Sequence, residues 1–139
     1  MPLLLALFGC KPPGFGPGVQ DFSATLLDTY TLNRISTHQV YISRHGGLGA
    51  DVPRIPEKVL ECEVNPPFIL GKRQALRPRS PGDAYHLPDA NAVDYWILDT
   101  RDAGRVLGPM DLEEFTSRRR ELGIPDSIDL KDVYSYRPR

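Results

Sequence analysis

Hydrophobic positions along the chain fall into short alternating runs separated by proline and glycine, and these runs predict strands. In DTYTLNRISTHQVYISRHGG, residues 28–47, Tyr30 and Leu32 alternate with polar neighbours, and Val40 and Ile42 do the same on the return. The stretch predicts a hairpin turning at Ser36-Thr37-His38. KVLECEV, residues 58–64, predicts a strand with Leu60, Cys62 and Val64 facing in and Glu61 and Glu63 facing out. After NPP, the run FILGKRQ (68–74) supplies its hairpin partner. Tyr95 to Leu98 predicts a further strand, Asp102-Ala103-Gly104 its turn, and Arg105-Val106-Leu107 the return, with Pro109 ending it. Between these strands, ALRPRSPGDAYHLPDANAVD (75–94) reads as a long polar loop, the main candidate for mobility or partner contact. Strand neighbours face opposite ways, so one ring of Tyr95-Trp96 belongs to the core and the other is exposed or covered by a loop. An exposed ring would be a recognition hot spot.

Helical spacing is clearest after residue 110. Leu112, Phe115 and Leu122 share a face with the stem of Arg119, which predicts that this face packs on the sheet. Asp111 is the N-cap candidate and Glu114 completes a capping box. Glu113 and Glu114 suit the first turn and Arg118, Arg119 and Arg120 the last. Gly123 fits the left-handed position after the helix, with Ile124 and Pro125 closing the stop. Leu130, Val133 and either Tyr134 or Tyr136 remain to cover the core. The expected fold is therefore α+β: a mainly antiparallel sheet of about five strands with one main helix, about 111–122, packed on it.

Composition narrows the classes. At 139 residues the chain is one domain by size, long enough to bury a core without disulfides. With 40% hydrophobic and 25% charged residues it is globular rather than disordered, and 14 prolines with 12 glycines keep its elements short. Lys+Arg is 17 and Asp+Glu 18, so no charge excess favours a nucleic acid partner. No apolar run approaches the ~20 residues needed to span a bilayer.

Candidate chemistry is sparse. His38, His45 and His86 are scattered, none at metal-ligand spacing from another histidine or cysteine. No Gly-x-Ser-x-Gly elbow is present, and GGLGAD (46–51) lacks the ending of a phosphate-binding loop. Asp99, Asp102 and Asp111 have turn and cap roles. An enzyme would need one of the histidines to meet an Asp or Glu in a cleft; the expectation is a non-enzyme with no cofactor and no metal. The basic run Lys72, Arg73, Arg77 and Arg79 can either meet anionic lipid or an acidic partner or simply be solvated. With Tyr95, Trp96, Tyr85 and His86 it makes up the candidate partner-binding set. Arg118-Arg119-Arg120 splays around a helical turn and forms no flat stripe.

The opening PLLLALFGCKPPGFGP (2–17) reads either as a strand or tail, or as the end of an export signal. Leu3 to Phe8 is short for a signal core and no basic side chain precedes it. Leu7-Phe8-Gly9-Cys10, however, resembles the lipobox of bacterial lipoproteins, and the resemblance implies cleavage after Gly9 and acylation of Cys10. The Pro/Gly run that follows suits a tether. A start codon set too late would account for the missing basic residues. If Cys10 carries lipid, Cys62 is a lone thiol read as a small buried hydrophobe; otherwise a Cys10–Cys62 bridge is open. The expected organisation is a partial signal-like segment at 1–9, lipobox cysteine and tether at 10–27, and one α+β domain at 28–139.

Two stretches carry a wider resemblance: IPEKVLECEVNPPFILGKRQ, and DYWILDTRDAGRVLGPMDLEEFTSRRRELGIPDSIDL. They resemble an uncharacterised family of small bacterial proteins, many of them predicted lipoproteins. The matching positions are Ile55, Pro56 and Val59; Phe68 to Leu70; Tyr95 to Asp99; Gly108 to Met110; and Glu113, Glu114, Phe115, Leu122 and Gly123. The resemblance covers most of the chain from about Asp28 and brings no catalytic residues. It implies a lipid-anchored, periplasm-facing envelope protein, with the outer membrane preferred where the cell has one because Lys11 follows the cysteine. A binding partner that is a toxin or envelope protein then gives the leading expectation, an immunity or inhibitor protein. Paired aromatics, a Gly-Pro step and a Glu-rich helix are also similar to proline-rich-peptide modules of the GYF type, without their defining Gly-Tyr-Phe. The second expectation is accordingly an envelope structural or peptide-binding module using Tyr95 and Trp96.

Overall fold

Strand formation begins upstream of where the sequence places it. A computed structural model describes residues 21–45 and 52–138, and Cys10, the signal-like segment and the glycine-rich 46–51 lie outside these. Residues 22–27, read as the end of the tether, form strand β1 (Phe22–Leu27), because Phe22, Ala24 and Leu26 alternate with Ser23 and Thr25. β1 pairs antiparallel with β2 (Tyr30–Arg34), β2 with β3 (Val40–Arg44), and β3 with the two-residue β4 (Arg54–Ile55). The predicted 28–47 hairpin is thus present, in register from Tyr30↔Arg44 to Arg34↔Val40.

A second sheet holds β5 (Val59–Asn65), β6 (Phe68–Pro78), β7 (His86–Asp99), β8 (Arg105–Met110) and the short β9 (Lys131–Asp132). Its order is β8-β7-β6-β5-β9, antiparallel throughout. The expected sheet of about five strands is therefore one of two, and the protein is mostly antiparallel β with one α-helix among the described residues. The sheets face each other across Leu32, Val40, Ile42 and Ile55 on one side and Val59, Cys62, Ile69, Trp96 and Leu98 on the other. The reverse face of the second sheet packs Phe68, Leu70 and Ile97 against Phe115 and Ile124. Both faces of β6 and β7 are covered at this level, so their sequences run hydrophobic without alternating.

The inner face of β5 differs from its predicted one. A register shift between Val59 and Glu61 buries Val59 and Cys62 and leaves Leu60 and Val64 half-buried.

Helix α1 (Leu112–Glu121) is capped as expected: the Glu114 N–H donates to Asp111 Oδ1 at 2.8 Å. Gly123 takes φ +75°. Phe115 is buried and Leu122 packs beside it, but Leu112 is exposed, so the buried stripe starts one turn later than predicted. Arg119 lies over the Phe115 ring and donates to the Ile128 carbonyl at 2.8 Å. A final 3₁₀ turn, Val133–Tyr136, sits between the sheets: Val133 joins the core, Tyr136 packs against it and Tyr134 is exposed.

Candidate functional site

The segment read as a long loop at 75–94 is mostly strand. β6 and β7 continue as a hairpin after their neighbours stop: on the β5 side the last residues to pair are Lys58 and Gln74, which exchange main-chain bonds of 3.0 and 2.8 Å, and β8 pairs no further than Tyr95↔Met110. The pair runs on through Leu76↔Pro88 and Pro78↔His86, with a register shift that leaves extra β7 residues bulged. At the tip, Arg79 N–H donates to the Tyr85 carbonyl at 2.8 Å and Tyr85 N–H to Asp83 Oδ1 at 2.9 Å, while Gly82 takes φ +79°. Pro78, Pro81 and Pro88 disguise these strands in the sequence; proline is tolerated here because the outer edges carry no ladder partner.

Between this hairpin and the β2–β3 turn lies an open cleft of about 750 Å³. Residues 36–39 form one wall, Leu76 with residues 84–86 the other, and Glu57 contributes from the β4–β5 connection. Two of the three histidines, His38 and His86, therefore line one cleft with a carboxylate, a convergence that sequence spacing does not show. His45 lines a separate, smaller hollow near Thr29 and Thr31. Within the larger cleft, Arg54 holds the Glu57 carboxylate, and the His86 Nδ1–H donates to the Ala84 carbonyl at 3.0 Å. The Nδ1 of His38 is buried and has no partner. Neither imidazole bonds to a carboxylate among the described residues.

The basic run is largely paired across its own hairpin. Arg73 makes a two-pronged bridge to Asp94, at 2.9 and 2.6 Å, and lies 5.0 Å over the Trp96 ring. Arg77 faces Asp89 at 3.5 Å; Arg79 bonds Asp83 at 2.8 Å and lies over Tyr85. The Tyr85 N–H and the Arg79 guanidinium hold the Asp83 carboxyl below the usual carboxylate range. Lys72 sits in the ladder between Glu61 and Tyr95. The four residues therefore do not form one bare cationic patch.

Tyr95 and Trp96 face opposite ways, as strand geometry requires, but both are covered. Trp96 is buried between the sheets, its Nε1–H donating to Asp94 Oδ1 at 2.6 Å. Tyr95 is half-buried and stacks on Phe115 at 4.8 Å. The surface reading missed this because α1 returns over the second face. Tyr85 and His86, by contrast, are exposed at the cleft. Sequence reasoning reads Ser36-Thr37-His38 as a turn and weighs His38 as a histidine, but passes over Glu57 and Gln39, which carry no local signal.

Cys62 is fully buried, and burial pushes its thiol up to about 12, with Glu63 nearby adding to the rise and the Tyr136 hydroxyl opposing it. It is a packed core residue rather than a nucleophile.

An antiparallel two-sheet protein with, among the described residues, one α-helix and a projecting, histidine-flanked hairpin is the class these features define. The chain belongs to the family described as "Protein of unknown function (DUF3997)", whose model matches residues 27–134. No curated protein and no solved structure matches it.

Proposed function

We propose that the protein is a lipid-anchored envelope protein, held through Cys10 and facing the periplasm, that acts by binding a protein partner in the manner of an immunity protein neutralising a toxic effector. The observation that carries this reading is the β6–β7 hairpin, which extends past β5 and β8 and presents its tip beside the cleft. Arg77–Asp89 and Arg79–Asp83 brace the projecting part, and such preorganisation lowers the ordering cost of association. Binding rather than catalysis is further supported by the state of the reactive groups. Cys62 is shielded in the core, Glu57 is tied to Arg54, and Asp94 is tied to Arg73 and Trp96. The lipid anchor rests on the lipobox-like Leu7-Phe8-Gly9-Cys10 and on the Pro/Gly-rich stretch between Cys10 and β1.

Co-expression tests the partner. Each neighbouring gene product is directed to the periplasm of a bacterial host with and without the full-length protein. One neighbour should arrest growth, and the protein should relieve it; the reading fails if every neighbour is harmless on its own. Fractionation tests the anchor: the native protein should sediment with membranes and Cys10→Ser should be released. An intact Met1 with a free Cys10 thiol in the native protein overturns the lipidation.

A further inference from the structure

We propose that the end of the molecule carrying the hairpin tip and the β2–β3 turn faces the membrane, with Ile35 and Tyr85 seated at the lipid surface. The inference rests on the anchored reading above and adds which face the anchor turns toward the bilayer.

The topology fixes where the anchor joins the fold. β1 starts at Phe22, which pairs with Arg34, the last residue of β2, so the chain enters beside the β2–β3 turn. Residues 36–39 of that turn form the cleft wall opposite Tyr85 and His86. The C-terminal 3₁₀ turn closes on the same point: Phe22 lies edge-on to Tyr134 at 6.1 Å, and the Tyr134 hydroxyl accepts from Arg34. The β1–β2 turn at 28–29 and the β7–β8 turn at 100–104 meet at the opposite end, where Arg44, across the ladder from Tyr30, donates to the Ala103 carbonyl at 2.7 Å. Residues 11–20 separate Cys10 from Asp21, and a stretch of that length reaches at most ~35 Å. Presenting the opposite end to the membrane makes it double back along β1, whose length alone takes up about 20 Å of that reach.

Exposed apolar side chains mark the same end. The large ones among the described residues are Ile35, Tyr85, Val93, Leu112 and Tyr134, and none belongs to the turns at the opposite end. Ile35 follows Arg34 into the β2–β3 turn and Tyr85 crowns the hairpin; they are 50% and 54% exposed. Tyr85 and Tyr134 each lie beneath an arginine, Arg79 at 5.2 Å and Arg137 at 5.4 Å. A ring with a polar tip, beside a long apolar stem ending in a cation, suits the boundary between water and lipid. The ion pairs here, Arg77–Asp89, Arg79–Asp83 and Arg54–Glu57, are each neutral, so they set up no repulsion from anionic headgroups. So few residues do not hold a domain on a bilayer by themselves; once an acyl anchor holds it there, they decide its orientation. A protein partner of the hairpin is then met at the membrane surface.

The full chain is coupled through Cys10 to a maleimide-headgroup lipid in phosphatidylcholine vesicles whose acyl chains carry bromine, a contact quencher of tryptophan. Cys62 is buried and does not compete for the maleimide. Two reporters are read over the background of Trp96, the one native tryptophan: Ser80→Trp at the hairpin tip and Ala103→Trp at the opposite end, both at exposed positions. Bromine should quench the Ser80→Trp signal at least about threefold more than the Ala103→Trp signal. Adding Ile35→Asp and Tyr85→Asp to the Ser80→Trp chain should abolish that difference while the melting temperature stays unchanged. Equal quenching of the two reporters, stronger quenching of Ala103→Trp, or undiminished quenching in the Asp variants overturns the proposal. The maleimide coupling makes this readout independent of acylation in the cell. If the native protein carries no lipid and the Ser80→Trp reporter is quenched as stated, the anchor reading fails and the assignment of this end stands. If the native protein is acylated at Cys10 and the two reporters behave alike, the assignment fails and the anchor reading stands.

Discussion

The Tyr136 hydroxyl donates to the main-chain carbonyl of Cys62 at 2.9 Å, joining residues 74 positions apart. The same hydroxyl lies 3.3 Å from Glu63 Oε1, and Lys131 bonds the other Glu63 oxygen at 3.0 Å. Two residues earlier, the Tyr134 hydroxyl accepts from Arg34 Nε at 3.1 Å on the opposite sheet. The 3₁₀ turn is thus a clasp whose two tyrosines hold one sheet each, with Val133 wedged in the core.

Removing the Tyr136 hydroxyl alone tests this clasp. Tyr136→Phe keeps the ring but strips a partner from the Cys62 carbonyl, so it should cost about 1–2 kcal/mol. Urea unfolding followed by Trp96 fluorescence measures it, and an unchanged midpoint would mean that the turn frays without consequence. The m-value should stay constant, because the folded core is the same.

Asp94 is the hub of a second network, accepting from both prongs of Arg73 and from the Trp96 indole. The Arg73 and Asp94 side chains are only 15% and 17% exposed, so breaking the pair leaves a poorly hydrated guanidinium. Asp94→Ala should cost about 3 kcal/mol, and Arg73→Met with Asp94→Leu together should cost clearly less. Thermal melts of Arg73→Met, Asp94→Leu and the double variant give the coupling.

These networks also mark how far the sequence could be read. FIL and YWIL show as strands because hydrophobic residues cluster there, and the helix shows through Asp111 and Gly123, whose cap geometries are local. Cross-sheet relations have no local signature. β1 reads as tether because it directly follows a proline- and glycine-rich stretch, and β4 is two residues long. The distal hairpin reads as loop because its prolines look like breakers, whereas on an unpaired edge they break nothing. The cleft was invisible for a stronger reason. Its walls come from three separated segments, and only the packing of one sheet on the other brings His38 toward His86.

Gly108 illustrates a constraint visible only in three dimensions. It holds φ +147°, and a Cβ there would stand 2.6 Å from Cδ2 and Cε3 of Trp96, whose ring is buried and cannot yield. Gly108→Ala should therefore cost about 3 kcal/mol, combining backbone strain with overpacking. Gly123 also has positive φ, +75°, but open space around it, so Gly123→Ala should cost only about 1 kcal/mol. Denaturant midpoints of the two variants, measured side by side, separate steric from conformational cost; equal losses would contradict the close approach to Trp96.

Acid should loosen the clasp through Glu63. Burial raises this carboxyl, but the Val64 N–H, the Lys131 ammonium and the Tyr136 hydroxyl outweigh it and hold the group below the usual carboxylate range. Asp99 is lowered as well: the Arg101 guanidinium is the main cause, opposed by burial. A carboxyl depressed in the folded state stabilises the fold above its unfolded value, near pH 4. That stabilisation is lost as pH falls through the folded value, because the unfolded chain takes up the proton first. Melting temperature should hence be flat from about pH 7 to 5 and fall below about pH 4.5. Glu63→Gln should melt lower than the parent at neutral pH, since the Lys131 ion pair is gone, and its decline in acid should be shallower. Parallel slopes for the two proteins between pH 5 and 3 would show that Glu63 contributes nothing to the acid response, and would move that role to the other lowered carboxyls, Asp99 at the β7–β8 turn and Asp83 at the hairpin tip.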